Sequence, residues 1–137
     1  MWTAEQLRAI NEDGNLLVSA AAGAGKTAVM TERIARIIAS GTDVSEILVV
    51  TFTNPAAAEM KQRIERRLSE LAESTDDTKL KMHLHDSAIN ISTANISTIH
   101  SFCGNVLRRN CHIVGLDPAF RTADAAEAAL LRLKALD

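Results

Sequence analysis

Residues 20–27 read Ala20-Ala21-Ala22-Gly23-Ala24-Gly25-Lys26-Thr27 and have the composition of a phosphate-binding loop. Small residues let backbone N–H groups approach phosphate oxygens, and the start of a following helix adds unpaired donors and a favourable dipole. In such a loop Lys26 reaches the terminal phosphates and the Thr27 hydroxyl supplies an oxygen to Mg²⁺. The strict pattern requires glycine where Ala20 stands. An alanine- and glycine-rich turn between a strand and a helix is therefore the alternative.

The flanks of this stretch predict a strand, a loop and a helix in that order. Residues 15–19 form a short apolar run with the length of a buried strand. After the loop, apolar residues recur at helical spacing until Gly41, which we expect to end the helix. Residues 47–52 are a second, almost unbroken apolar run, which is typical of a parallel strand buried on both faces.

The second half of the chain continues with helices and one more strand. Asn54 is a good N-cap and Pro55 a good first helical residue, so a helix is predicted to begin there. Its buried stripe is predicted to be Ala57, Met60, Ile64, Leu68 and Leu71. Its other faces carry mixed charges, which fit either a solvated surface or a basic track for DNA. Residues 79–89 predict a weaker helix, and residues 91–98 a strand, or a strand plus a turn. Thr98 is predicted to cap a helix that runs to about Asn110, and a last helix starts near Asp124.

Composition places few limits on function. The chain has 137 residues, with 15 basic and 17 acidic side chains, so the formal net charge of −2 offers no general reason for binding nucleic acid. The first residues lack the basic and apolar regions of a signal peptide, and no apolar run is long enough to span a membrane. Cys103 and Cys111 fall too far apart on a predicted helix to form a disulfide. We therefore expect reduced thiols and a cytoplasmic location.

Gln6 has two interpretations from the local sequence. Thr3 and Gln6 fit a capping box, in which the N-cap hydroxyl and the third helical residue satisfy each other's backbone donors. The Gln6 amide can also donate and accept hydrogen bonds at the edge of an adenine base. Both interpretations remain open at this point.

Four segments together resemble the motifs of superfamily 1 DNA helicases of the UvrD/RecB-like group. Residues 2–6 resemble the Q motif, and residues 20–27 resemble motif I, in which alanine at the first position is ordinary. Residues 51–60 resemble motif Ia and residues 98–102 resemble motif Ib. The likeness extends to the beginning of helicase–nuclease subunits of this group and covers nearly the whole chain.

The resemblance implies an α/β fold: a P-loop NTPase (RecA-like) parallel sheet with flanking helices, incomplete at its C-terminal side. Residues 1–110 would form part of an ATP-binding motor domain, and residues 111–137 the start of a helical insertion subdomain. The implied ligands are ATP and Mg²⁺, and the implied partners are single-stranded DNA and a second nuclease or helicase subunit.

The resemblance also assigns residues to these ligands. Gln6, Ala22, Gly23, Ala24, Gly25, Lys26 and Thr27 would hold the nucleotide, with Thr27 on magnesium. Phe52, Thr53, Asn54, His100 and Ser101 would meet single-stranded DNA. Phe52 could instead be a core aromatic at a strand end, and His100 a first-turn residue satisfied by its own helix. Pro55 departs from the family pattern, because many relatives carry lysine at that position.

Hydrolysis of ATP in this family needs paired acids after a strand and arginines that stabilise charge on the γ-phosphate. Glu12-Asp13 and Asp76-Asp77 are acid pairs, but neither follows a predicted strand. We therefore expect the chain to be a fragment or a truncated reading frame that does not hydrolyse ATP efficiently by itself. A non-enzymatic nucleotide-binding module and a P-loop phosphotransferase are the alternative functions.

Overall fold

The computed structural model describes residues 2–21 and 23–136, and in these ranges it is an α/β structure. Its parallel sheet has two strands, β1 (Leu48–Thr51) and β2 (Asn95–Thr98). Short 3-10 helices precede the strands at Val44–Glu46 and Asn90–Thr93. The α-helices are α1 (Ala4–Asn11), α2 (Lys26–Ala39), α3 (Asn54–Ser74), α4 (Thr78–Ile89), α5 (Ile99–Arg109) and α6 (Ala125–Leu136). All the helices predicted from the sequence are present.

The hydrophobic core is organised around α3. The predicted stripe is largely confirmed, because Ala57, Met60, Ile64 and Leu68 are buried. Leu71 is only partly buried, and Ala72 is fully buried in its place. The stripe packs against α2, α4 and both strands through a single cluster of apolar side chains, which includes Ile34, Ala35, Ile38, Val49, Leu84, Ala88 and Ile96.

An ion pair joins α2 to α3 beside this core. The Arg67 guanidinium donates to both carboxylate oxygens of Glu32, at 2.6 and 2.8 Å, and also to Glu70 at 3.2 Å. The hydrogen bond to Glu32 raises the pKa of Arg67 above its ordinary value. On the outer side of α3, Arg63 pairs with Glu59 one turn away. Arg63 and Arg67 of α3 are thus paired with carboxylates, which fits a solvated surface better than a basic track for DNA.

Local caps end α2 and begin α3. Gly41 adopts a left-handed φ of 106°, and its N–H donates to the Ile38 carbonyl at the end of α2. The N-cap of α3 is Thr53, whose hydroxyl accepts the Ala56 N–H, so the prediction of Asn54 as N-cap was wrong by one residue. The threonine hydroxyl fills the same capping role one position earlier.

The strand predictions needed more correction than the helix predictions. The strand predicted at 47–52 is confirmed as β1 but is shorter, and Leu48 and Val50 are 50% and 45% exposed. Burial on both faces was therefore wrong for the described residues, because Val49 lies on the face that packs against the core and Leu48 and Val50 lie on the opposite face. In the region 91–98 the first half is a 3-10 helix and only Asn95–Thr98 forms a strand.

Residues 15–19 do not form the predicted strand. They have no regular secondary structure, and Leu17 is 94% exposed. A strand needs a hydrogen-bonded neighbour, and within the described ranges no strand pairs with this segment. Both interpretations of the glycine-rich stretch place a strand before it, and that part of the prediction was wrong, whereas the helix that follows is present as α2.

The chain divides into two compact units after Phe102, and the core described above lies within the first. In the second unit the Arg108 guanidinium stacks 5.5 Å from the centre of the Phe120 ring, and Arg121 pairs with Glu127 at the start of α6. Cys103 is exposed, Cys111 is buried, and both are free thiols. Among the residues described, no helix has the length and apolar character to cross a membrane.

Candidate functional site

Gln6 links the start of α1 to the glycine-rich loop. The Thr3 hydroxyl accepts the Gln6 N–H at 3.2 Å, and Gln6 Oε1 accepts the Thr3 N–H at 2.9 Å, which confirms the predicted capping box. The amide nitrogen Nε2 of the same side chain donates to the Ala24 carbonyl at 3.3 Å. Both ends of the amide are thus engaged, one by its own helix and the other by the loop. The adenine contact stays a prediction.

The loop itself depends on two glycines. Gly23 and Gly25 have φ values of 79° and 81°, in the left-handed region that side chains disfavour. Between them the Ala24 N–H donates to the Ala21 carbonyl at 3.3 Å and closes a turn. A Cβ atom built on Gly25 would lie 3.2 Å from Gln6 Nε2. Ala22, a predicted nucleotide contact, lies outside the described residues.

Lys26 is the first residue of α2, and its side chain extends back to the loop that precedes the helix. Its Nζ donates to the carbonyls of Ala20 and Ala21, at 2.7 and 2.8 Å. Gly25 precedes the helix without a side-chain cap, so the first N–H groups of α2 have no partner of that kind. Thr27 is exposed beside Lys26, and its carbonyl accepts the Thr31 hydroxyl. The Lys26 ammonium and the N–H groups at the start of α2 therefore lie beside the glycine-rich loop, an arrangement that suits an anionic ligand.

A cleft of about 360 Å³ lies next to this loop and is lined mainly by apolar side chains. Two cationic residues, Lys26 and Arg33, contribute to its wall. The remaining lining residues are Ala9, Leu16, Val18, Val29 and Met30. The cleft is thus bounded by α1, by the unpaired segment 15–19 and by α2.

The second group of predicted residues gathers at one edge of the sheet. Thr51 and Thr98 are register partners at the last positions of β1 and β2. Because the strands are parallel, the segments 52–54 and 99–101 leave the same edge, which is where open parallel sheets bind ligands. Phe52 is fully exposed there, so its interpretation as a core aromatic was wrong.

The polar residues at this edge differ in whether their side chains already form hydrogen bonds within the protein. The Thr53 hydroxyl caps α3, and its carbonyl accepts the Thr51 hydroxyl at 3.0 Å. The Ser101 hydroxyl lies 2.8 Å from Thr98 Oγ1, which also accepts the Ser101 N–H and so caps α5 as predicted. Asn54 and His100 are exposed. These exposed groups, with Phe52, are the ones most available to a ligand.

The acid pairs lie away from the strand ends. Glu12 follows the end of α1, and Asp77 is the N-cap of α4, where its carboxylate accepts the Lys79 and Leu80 N–H groups. Neither β1 nor β2 is followed directly by a carboxylate in the described ranges. In the same part of the chain, no three His, Cys, Asp or Glu side chains are grouped as ligands for a metal ion. For Mg²⁺, the predicted ligand that the structure describes is Thr27.

Arg33 is the residue that the sequence motifs missed. From α2 its Nη1 donates to the carbonyls of Ala9 and Glu12, at 2.8 and 2.7 Å, and so reaches the C-terminal end of α1. No short motif contains this arginine, and its spacing within α2 is that of any partly exposed helical position. The only signal in the sequence was a long cationic side chain on α2, a helix that follows the short helix α1 along the chain.

Comparison with known proteins gives one family. The description "UvrD/REP helicase N-terminal domain" matches residues 2–136. Three relatives, each named as an ATP-dependent helicase/nuclease subunit, come from Alkaliphilus metalliredigens, Desulforamulus reducens and Heliobacterium modesticaldum, with identities of 48%, 50% and 50%. Each match covers 99% of this chain but only 10–11% of the relative. The chain thus spans about a tenth of the length of the relatives it matches.

Proposed function

Because the chain belongs to the UvrD/REP helicase N-terminal domain family, we propose that it is the ATP-binding portion of an ATP-dependent DNA helicase. The resemblance to helicase–nuclease subunits is confirmed by the names of its relatives. In the longer protein that we propose, ATP hydrolysis drives movement on single-stranded DNA during the repair of double-strand breaks by recombination. A second nuclease or helicase subunit is the proposed partner, and the cytoplasm the proposed location.

The observation that carries this proposal is the meeting of Lys26, Thr27 and the glycine turns at the start of α2. We assign Ala22, Gly23, Ala24 and Gly25 to the phosphates through their backbone N–H groups. Lys26 exchanges its bonds to the Ala20 and Ala21 carbonyls for bonds to the terminal phosphates. Thr27 supplies a hydroxyl oxygen to Mg²⁺. Gln6 lies against the same loop and reads the adenine edge.

The sheet edge is the proposed contact with single-stranded DNA. A fully exposed aromatic ring such as Phe52 is suited to stacking on a base, which is typically worth about 1–3 kcal/mol. His100 and Asn54 are exposed on the two segments that leave this edge. Thr53 and Ser101 are assigned to the DNA backbone, within the limits set by their capping bonds.

The 137-residue chain by itself is proposed to bind nucleotide without efficient turnover. Thr27 is the proposed magnesium ligand, and the described strands do not end in the carboxylates that orient water in this family. As an isolated chain it therefore acts as a non-enzymatic nucleotide-binding module, which was one of the alternatives. The family match and the exposed sheet edge favour a DNA motor over a phosphotransferase.

Titration of the purified chain with Mg²⁺-ATP tests the nucleotide site. Trp2 is the single tryptophan and packs beside Ala9, Ile10 and Val29, so its fluorescence reports on α1. We expect saturable binding that Lys26→Ala abolishes and Lys79→Ala, an exposed lysine on α4, leaves unchanged. Binding that is indifferent to Lys26→Ala would refute the phosphate-loop assignment. Rapid DNA-stimulated ATP hydrolysis by this chain would refute the proposed lack of turnover.

A separate titration with a fluorescent oligothymidine tests the DNA edge. Phe52→Ala is expected to weaken binding by about tenfold, the loss of one stacked base. Met82→Ala is the control, because Met82 is also an exposed apolar residue but lies on α4. Equal affinities of wild type and Phe52→Ala would remove Phe52 from the proposed interface.

A further inference from the structure

The contact between α1 and α2 includes two hydrogen bonds from the Arg33 side chain of α2. One nitrogen of its guanidinium donates to the carbonyls of Ala9 and Glu12. The last carbonyls of a helix have no intrahelical partner, and a cation near them also interacts favourably with the helix dipole. Arg33 therefore satisfies groups that α1 cannot satisfy for itself.

The short α1 depends on this contact for its position. It has eight residues, and isolated helices of this length are not stable in water. Its buried residues are Ala9 and Ile10, which pack against Val29 of α2. These apolar contacts, to which Trp2 adds, have no preferred direction, whereas the two hydrogen bonds from Arg33 fix the place of the C-terminal turn of α1.

The opposite end of α1 carries Gln6, which touches the glycine-rich loop. Gln6 and Ala9 lie about one helical turn apart, so a rigid helix transmits a shift of one to the other. The space available to Gln6 is narrow, because its Nε2 lies 3.3 Å from the Ala24 carbonyl and beside Gly25. A displacement at the Arg33 end would move the Gln6 amide off this position.

We propose that Arg33 is a positioning residue for base selectivity, which acts by fixing α1 so that Gln6 stands at the adenine end of the nucleotide site. This inference rests on the proposed function, because it requires Gln6 to contact the base. The triphosphate is assigned to the loop and Lys26, whereas the hydrogen bonds of Arg33 go to α1. Arg33 should therefore affect the choice of base far more than the binding of phosphates.

Calorimetric titrations of the purified chain with Mg²⁺-ATP and Mg²⁺-GTP test the proposal. We expect Arg33→Ala to weaken ATP binding by about tenfold, because the displaced Gln6 amide loses its hydrogen bonds to adenine, with a much smaller change for GTP. Arg33→Lys keeps a cationic donor and should retain much of the preference for ATP. Arg36→Ala, an exposed arginine one turn along the same helix, serves as the control. Equal weakening of ATP and GTP by Arg33→Ala would indicate a general folding role and overturn the inference.

A double-mutant cycle with Gln6→Ala separates positioning from direct contact. If Arg33 acts through Gln6, then Arg33→Ala lowers the preference for ATP in the wild-type background but not in the Gln6→Ala background. The same fold-change in both backgrounds would overturn the inference while leaving the proposed function intact. If the wild-type chain binds ATP and GTP equally, the assignment of Gln6 to adenine fails, and this inference fails with it.

Discussion

The core around α3 and the segment 15–19 ahead of the glycine-rich loop both contain large apolar side chains but bury them to different extents. In the core, Ile64 and Leu68 are completely buried, whereas Leu17 in the segment is 94% exposed. The α3 stripe finds partners on α2 and on α4, which follows α3 after a short connection. The segment 15–19 has no strand beside it in the described ranges. An amphipathic helix thus needs only a nearby apolar face, while a strand needs a neighbour in register.

The largest expected effect is a difference in the free energy of unfolding between a variant of the core and a variant of the segment 15–19. Leu68→Ala should lower the free energy of unfolding by about 2–5 kcal/mol, because it leaves a cavity in the core. Leu17→Ala should change it by less than about 0.5 kcal/mol, because the side chain already meets solvent. Urea denaturation followed by circular dichroism measures both. Similar losses for the two variants would mean that residues 15–19 pack in solution, and the comparison would fail.

A smaller loss of stability is expected from a substitution that breaks the ion pair between α2 and α3 beside the core. Glu32→Gln removes the carboxylate that accepts two bonds from Arg67 and should lower the free energy of unfolding by about 1–2 kcal/mol. The control is Glu59→Gln, which removes an exposed pair with Arg63 and should cost less than about 0.5 kcal/mol. Thermal melts of both variants at low and high salt give the measurement. An equal loss from the exposed pair would contradict the role of the link between α2 and α3.

In the loop, nucleotide affinity rather than stability is the informative quantity. Gly25→Ala and Gly115→Ala both force alanine into a left-handed backbone, which costs roughly 1–2 kcal/mol. Only Gly25 has a neighbour, Gln6 Nε2, within reach of the added Cβ. We therefore expect both variants to have a lower melting temperature than the wild type. Only Gly25→Ala should also have a lower affinity for Mg²⁺-ATP. Unchanged affinity in Gly25→Ala would show that Gln6 and the loop are not coupled.

The smallest expected effect concerns local capping at the entrance to β1. The Ser45 hydroxyl and backbone N–H both donate to the Asp43 carboxylate and lower its pKa below the ordinary value. A carboxyl group with a lowered pKa in the folded state stabilises the fold above its unfolded pKa, and the benefit disappears as pH falls below about 4. Wild type should thus lose slightly more stability than Asp43→Asn between pH 5 and pH 3. Identical acid denaturation profiles would show that this cap does not contribute.

Helices were predictable from this sequence because their signals are local. The caps at Thr3, Thr98 and Gly41 and the stripe through Ile64 lie within a few residues of the structure that they specify. The capping box also anticipated the position of Gln6, although not its bond to Ala24. Thr53 displaced Asn54 as N-cap because either side chain can accept the same N–H.

Strand pairing and Arg33 were not predictable in the same way. Whether residues 15–19 form a strand, or β1 is covered on both faces, depends on partners distant in the sequence. The two hydrogen bonds from Arg33 to the C-terminal end of α1 join residues that are separated in the sequence by 24 and 21 positions. No motif specifies these bonds. The four motif segments lie at the start of α1, at the glycine-rich loop and at the ends of β1 and β2, and the roles of their residues remain predictions.

The parallel register of β1 and β2 also has a kinetic consequence. Thr51 meets Thr98 only after the whole of α3 and α4 has been traversed, so the pairing carries a large loop-closure entropy. Helices with local contacts form in microseconds, whereas nonlocal strand pairing is slow. The order of folding should therefore be helix pair first and sheet second. The edge where Phe52 and His100 emerge would be the last part of the unit to assemble and the first to open when the chain unfolds.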